Sequence, residues 1–294
     1  MSTIDFKPLV DTRFQLGEGP VYDEDRDSLW FCDIVARTLN RISLSNKQLE
    51  SWDFPSEVCS LGLARSGKLV IALRKEVVIF DPDQGTSETI ATIEPDMPET
   101  RLNDGKVGPD GAFWVGSMDD RSTKEPIASL YRVDPAGKVE RKVDGLVISN
   151  GLAFSADGMS LFHSDTRGPW IDRWRFDKAT GTITERQRIA ILDDTIGRPD
   201  GGATDAEGCY WSAGVSAARL NRFSAEGKLI ESYPVPVASP TMPCFGGPGL
   251  GTIILTSLRH QRPQKLLEDY PLTGSVVFAN SPVIGAPVSR FRNI

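Results

Sequence analysis

One pattern recurs six times along this chain, and it limits the possible folds more than anything else in the sequence. Each unit has a turn, a short strand with bulky apolar residues, a gap, a second strand and another turn. The first strands contain Leu29-Trp30-Phe31, Leu69-Val70-Ile71, Phe113-Trp114-Val115, Leu161-Phe162-His163, Tyr210-Trp211-Ser212 and Ile253-Ile254-Leu255. The turns before them centre on Asp27, Gly67, Gly111, Gly158, Gly208 and Gly251, at spacings of 40, 44, 47, 50 and 43 residues. The partner strands alternate apolar and polar residues, as in Ile171-Asp172-Arg173-Trp174-Arg175-Phe176, the period-two signature of a half-buried strand. No segment carries a sustained 3.6-residue apolar period with caps at both ends, so helices should be few and short. Four-stranded units of about 40–50 residues are the blades of a β-propeller. Two β-sandwiches would not require a fixed period. The reading is all-β: one six-bladed β-propeller domain over residues 1–294, with four-stranded blades around a central channel. Phe6-Lys7-Pro8-Leu9-Val10 is apolar enough to close the ring as an outer strand beside Val276-Val277-Phe278.

Composition narrows the chemistry. The chain has 33 Lys and Arg against 40 Asp and Glu, a net charge of −7, and no basic block. That argues against a nucleic-acid partner, whose binding rests on neutralised phosphates. No apolar run approaches the roughly 18 residues of a membrane span, and Met1-Ser2-Thr3-Ile4-Asp5 lacks the basic and apolar regions of a signal peptide. The expectation is a cytoplasmic protein with no membrane partner. Cys32, Cys59, Cys209 and Cys244 stand singly, without a Cys-x-x-Cys pair, and read as buried reduced thiols. With only His163 and His260, a His-rich zinc centre is excluded, and there is no Gly-x-Ser-x-Gly elbow. His163 reads as a satisfied core or channel-wall histidine. Trp30, Trp114 and Trp211 recur inside strands and read as core rather than as sugar platforms. The glycine-rich run Gly246 to Gly251 precedes a strand instead of a helix and contains a proline, so it is no phosphate loop. Oxygen ligands and carboxylates remain.

In a propeller, the loop entering each innermost strand lies at one mouth of the channel. About eight or nine residues before the marker turns the chain reads Gly17-Glu18-Gly19-Pro20, Leu102-Asn103-Asp104-Gly105, Ser149-Asn150-Gly151-Leu152 and Pro199-Asp200-Gly201-Gly202. The other two units offer Cys59-Ser60-Leu61-Gly62 and Pro243-Cys244-Phe245-Gly246-Gly247. Asn-Gly and Asp-Gly are also ordinary turn pairs, but here they precede apolar strands at matching offsets, where no hairpin turn is required. Equivalent positions in a ring converge, so Glu18, Asn103, Asn150 and Asp200 should meet. Two converging carboxylates are costly to desolvate without a counter-charge. A divalent cation removes that cost. The all-oxygen set favours Ca²⁺, Mg²⁺ or Mn²⁺, and a carboxylate-rich site also accepts Zn²⁺.

These segments, with Arg101-Leu102-Asn103-Asp104-Gly105-Lys106 and Phe113-Trp114-Val115-Gly116-Ser117-Met118, resemble the senescence-marker-protein/gluconolactonase/regucalcin family of six-bladed propellers. The resemblance covers essentially the whole chain. It implies hydrolysis of a small-molecule sugar lactone (an aldono- or aldarolactone) with one divalent metal in the channel. It implies Glu18, Asn150 and Asp200 as metal ligands, Arg101 and Asn103 as substrate contacts, and Asp200 as acid/base. The family often has a glutamate where this chain reads Met118-Asp119-Asp120-Arg121-Ser122. Facing the channel, Arg121 would bind a substrate carboxylate and favour an acidic lactone. Otherwise it is a solvated loop residue and Asp119 or Asp120 holds hydroxyls. The expected mechanism polarises the carbonyl with the metal and activates water with Asp200. Asp165, shortly after an inner-strand segment, reads either as a residue orienting the metal site or as a strand-end aspartate. Two other functions fit the same fold: a calcium-dependent organophosphate-ester hydrolase, and a calcium- or sugar-binding propeller without activity.

Overall fold

The computed structural model describes residues 3–292. Six four-stranded antiparallel sheets form the blades of a β-propeller. The innermost strands, in chain order, are Gly17–Asp23, Val58–Leu63, Thr100–Val107, Ser149–Phe154, Pro199–Thr204 and Pro240–Gly246. The marker runs are the second strands, such as Ser28–Asp33, Phe113–Asp119 and Tyr210–Gly214. Outer strands such as Thr182–Ile191 are mostly exposed, while the inner two of each blade are almost wholly buried. The sixth blade takes its outer strand from the other end of the chain. Lys7 pairs with Phe278 and Pro8 with Val277, the closure expected of the N-terminal segment. Proline is tolerated there because an edge strand need not donate on both sides.

The core lies between neighbouring blades. Trp30, Trp114 and Trp211 are completely buried, as their strand positions predicted. Replacing any one by alanine would cost about 3–5 kcal/mol. A polar device recurs beneath two of them. Trp114 donates its indole N–H to Asp110 (3.2 Å) and Trp211 to Asp205 (2.8 Å). Arg132 and Arg222 close on the same carboxylates at 2.7 and 2.9 Å, so each buried aspartate is neutralised and each indole satisfied. Gly246 to Gly251 is a hairpin connection holding a short 3-10 turn, Pro248–Leu250. Among the described residues the one α-helix, Gln264–Asp269, sits in the excursion between the second and third strands of blade six. No helix of the described residues is long and apolar enough to cross a membrane.

Candidate active site

The innermost strands do more than line a channel, because every one of them is bulged. Pairing with the second strand slips between Glu18 and Val21, Val58 and Ser60, Leu102 and Gly105, Asn150 and Ala153, Pro199 and Gly202, and Pro240 and Pro243. A bulge bends a strand and redirects a side chain. Here it accounts for the glycines that follow the candidate residues. Gly19 and Gly151 adopt φ of 57° and 65°, and a Cβ on Gly151 would meet the Tyr210 hydroxyl at 2.4 Å.

Just above these bulges lies a cavity of ≈ 540 Å³ whose wall includes Glu18, Arg101, Asn103, Asn150 and Asp200. The structure therefore gathers five predicted residues from blades one, three, four and five. In blade six the residue at this level is Thr241 rather than the Pro243-Cys244 pair. The bulge in that blade falls three residues earlier than the sequence pattern suggests, and Cys244 faces the opposite end of the channel.

A chain of hydrogen bonds fixes the amides. Arg101 Nη1 donates to Asn103 Oδ1 at 2.9 Å, and Asn103 Nδ2 donates to Asn150 Oδ1 at 3.0 Å and to the Ser149 carbonyl at 2.9 Å. Asn150 Nδ2 donates to Thr166 Oγ1 (2.7 Å), whose hydroxyl donates to the Pro199 carbonyl (2.7 Å), immediately before Asp200. Three blades are thus linked at the level of the site. The Asn150 oxygen accepts from Asn103 alone among these bonds, so one of its two lone pairs remains available as an acceptor.

The carboxylates are under strong electrostatic pressure. Burial drives the Glu18 carboxyl well above the usual range, and Asp200 and Asp104 add repulsion that the Gly19 N–H and Arg101 only partly offset. Burial likewise raises Asp200 well above its ordinary value, with Asp104 adding to it and Arg101 opposing. Asp104 itself is raised by burial; one oxygen accepts the Leu152 N–H at 2.8 Å and the other has no partner. Such a cluster of buried, mutually repelling carboxylates favours protonation or a bound cation.

Asp119, Arg121 and Asp165 do not line this cavity. Arg121 is turned back on its own loop: its Nε and Nη2 fork onto Asp119 at 2.9 Å each, and Nη2 also reaches Glu125 at 3.0 Å. Asp119 is fully buried and accepts the backbone N–H of Arg121 and Glu125 as well, and its carboxyl lies below the usual range because Arg121 is bonded to it. Asp120 instead braces Arg101, with Nε at 3.4 Å, while Arg74 holds its other oxygen at 2.9 Å. Asp165 accepts four backbone N–H groups, from Val147, Ile148, Arg167 and Gly168, and so secures the strand that carries Asn150. Asp33 does the same in blade one, taking the N–H groups of Gln15, Leu16 and Ala36 ahead of Glu18. His163 is buried and accepts or donates one bond with Ser149 Oγ at 2.9 Å, but its Nδ1 has no partner, so it is only half satisfied. Burial lowers it to about 4 and keeps it neutral.

The sequence reading did not single out Thr166, Arg198, Arg262 or Tyr270 on the cavity wall. Arg198 stands two residues before Asp200, and its place in the repeat was available as a signal. Arg262 and Tyr270 belong to the blade-six excursion, which has no counterpart in the other units. Among the described residues no group of three or more His, Cys, Asp or Glu is arranged to hold a metal. The donor set gathered here is two carboxylates and an amide.

The architecture and its polar channel mouth define a six-bladed propeller with an oxygen-rich small-molecule site. The family described as SMP-30/Gluconolactonase/LRE-like region matches residues 16–259, and the chain belongs to it. A 6-deoxy-6-sulfogluconolactonase of Pseudomonas putida is 33% identical over 276 residues, spanning 94% of both chains. Regucalcin of Gallus gallus is 31% identical over 281 residues, again 94% of each. The crystal structure of a calcium-binding regucalcin from Agrobacterium tumefaciens superposes with a TM-score of 0.93 at 28% identity, covering 99% of this chain and 100% of that one.

Proposed function

We propose that the chain hydrolyses a sugar lactone to its open-chain acid, using the cavity that holds Glu18, Arg101, Asn103, Asn150 and Asp200. The observation that carries this reading is the convergence of two buried carboxylates and a hydrogen-bond-fixed amide in a cavity of sugar dimensions. Membership of the family and the lactonase named among its relatives support it.

The residues fit a divalent cation. Glu18 and Asp200 are buried, repel one another and have no cationic partner within ion-pair distance among the described residues, and Asn150 offers a fixed amide oxygen. Glu18, Asn150 and Asp200 would hold the ion, with Ca²⁺, Mn²⁺, Mg²⁺ or Zn²⁺ as candidates for such donors. When bound, it would polarise the lactone carbonyl and lower the pKa of a nearby water. Arg101 and Asn103 hold the sugar hydroxyls, so the ring carbonyl is presented to Asp200. Asp200 takes a proton from the attacking water as its oxygen bonds to the carbonyl carbon. The ring C–O bond then breaks, and Asp200 returns the proton to the departing oxygen, leaving a hydroxyl and a carboxylic acid. Water is the only co-reactant, and the acid ionises to release one proton. Asp165 supports the strand beneath Asn150, and Asp119 with Arg121 shapes the neighbouring loop. The four cysteines are buried and unbridged, which suits a reducing compartment such as the cytoplasm.

Proton release from a panel of aldono- and aldarolactones tests the reading. Activity should vanish on chelation and return with a divalent ion. Calcium binding with no lactone opened would leave a metal-binding propeller in place of the enzyme, and turnover of phosphotriesters alone would mark an organophosphate hydrolase.

A further inference from the structure

The cavity carries more positive charge than lactone opening requires. Its wall holds four guanidinium groups, Arg101, Arg167, Arg198 and Arg262, against the carboxylates of Glu18 and Asp200. A divalent cation between those carboxylates would leave the excess unbalanced. Arg101 is already engaged, by Asn103, the Leu102 carbonyl and Asp120. The other three make no ion pair among the described residues. Arg198 and Arg262 each hold a buried Nε–H without a hydrogen-bond partner. Leaving a buried charged donor unpaired is unfavourable, and two on one wall point to an acceptor that arrives with the ligand.

Their backbones are held firmly. Arg198 donates its N–H to Ser216 Oγ at 3.0 Å and accepts Val215 N–H at 3.0 Å. The Arg262 turn is anchored by Arg259 and His260, whose N–H groups both donate to the Gln15 carbonyl at 2.9 and 2.8 Å. The guanidinium groups come from the consecutive blades four, five and six, so they form an arc on one side of the mouth. Arginine's planar fork suits the oxygens of a carboxylate, sulfonate or phosphate, whereas a neutral hydroxyl would leave the charge unpaired.

We propose that Arg198 and Arg262, with Arg167 at the rim, form a subsite for an anionic substituent on the sugar, remote from the lactone carbonyl. The inference rests on the lactonase reading and narrows its substrate to acidic sugar lactones. It places recognition on these arginines, since Arg121 is held by Asp119 and Glu125.

Steady-state kinetics of the calcium-loaded full chain decide it. Gluconolactone is compared with counterparts bearing a carboxylate, a sulfonate or a phosphate at the carbon farthest from the ring carbonyl. The anionic compounds should be preferred by about tenfold or more in kcat/KM, mainly through KM, with the preference shrinking as salt rises. Arg198→Gln and Arg262→Gln should each cut the anionic-to-neutral ratio by about tenfold, and Arg198→Lys should retain part of it. Arg175→Ala, an exposed side chain on the third strand of blade four paired with Glu185, should leave the ratio where it was. The anion with the highest ratio identifies the substituent. A ratio near one in the unmodified protein, or one that both glutamine variants leave unchanged, overturns the subsite. If no lactone is opened, the hydrolysis reading fails on its own, and calorimetry with glucarate and gluconate still decides the subsite. Tighter binding of the dianion that Arg198→Gln removes upholds it, and equal binding refutes it.

Discussion

The two ends of the central channel are built from the same six strands and differ in almost everything else. The upper cavity holds Glu18, Asn103, Asn150 and Asp200, all within a few residues of a bulge. Past those bulges the same strands supply Val21, Val107, Ala153, Ala203 and Cys244 to a second cavity of ≈ 310 Å³ at the opposite end. Asp104 lines neither cavity, and Lys106 reaches the lower one. Burial raises the first and lowers the second, and Lys106 donates to the Gly202 carbonyl at 2.9 Å. Ring symmetry relates the blades and not the two ends, and the inner strands place Glu18, Asn103, Asn150 and Asp200 at one of them. In blades one, three, four and five the strand presents Glu18, Asn103, Asn150 and Asp200 to the upper cavity, and its residues past the bulge line the lower one.

Substitutions at the two ends should separate accordingly. Asp200→Asn at the upper end should lower kcat for lactone hydrolysis by about 10²–10⁴-fold, the range for losing an acid/base group. Thr204→Val at the lower end should change kcat/KM by less than about threefold, the behaviour of a position that touches no substrate. A large loss at Thr204 would break the distinction.

A smaller effect tests how the upper end is held. Thr166→Val removes the hydroxyl between Asn150 and the Pro199 carbonyl. Calorimetry should show metal binding weakened by about 10–100-fold, with Thr166→Ser restoring it. Unchanged affinity would mean that the chain of amides does not position Asn150.

The smallest difference is thermodynamic. Glu18 and Asp200 are raised in the folded, metal-free protein, so over that range the folded state binds more protons than the unfolded chain. Stability of the metal-free form must then fall as pH rises above the ordinary carboxylate range. The melting temperature in chelator should drop as pH rises above the ordinary carboxylate range, by about 2 °C for each kcal/mol lost, and calcium should flatten the slope. Asp200→Asn should flatten it without calcium. His163 works in the opposite sense: lowered to about 4, it removes stability as pH falls below about 6.5, so the carboxylate effect is read above that pH.

Much of this was legible in the sequence because a propeller repeats. The turn spacing and the strand alternation specify six blades, and the matching offsets place Glu18, Asn103, Asn150 and Asp200 at one level. The closure by Lys7 and Pro8 was visible in the apolar character of the N-terminal segment. What escaped were features that break the repeat. Blade six bulges three residues earlier than its glycine pattern suggests, so Thr241 and not Cys244 reaches the site level. Arg262 and Tyr270 arrive on an excursion found in one blade only. Arg121 could not be placed from spacing because its direction depends on an ion pair with the buried Asp119 two residues away. The Asp110–Trp114–Arg132 and Asp205–Trp211–Arg222 clusters were hidden for another reason: partners across neighbouring strands leave no local pattern.

Anomalous diffraction from a crystal soaked in Mn²⁺ tests the central claim most directly. One peak is expected in the upper cavity, within about 2.5 Å of carboxylate oxygens of Glu18 and Asp200 and the amide oxygen of Asn150. A peak in the lower cavity beside Lys106, or none near these three side chains at saturating metal, would contradict it.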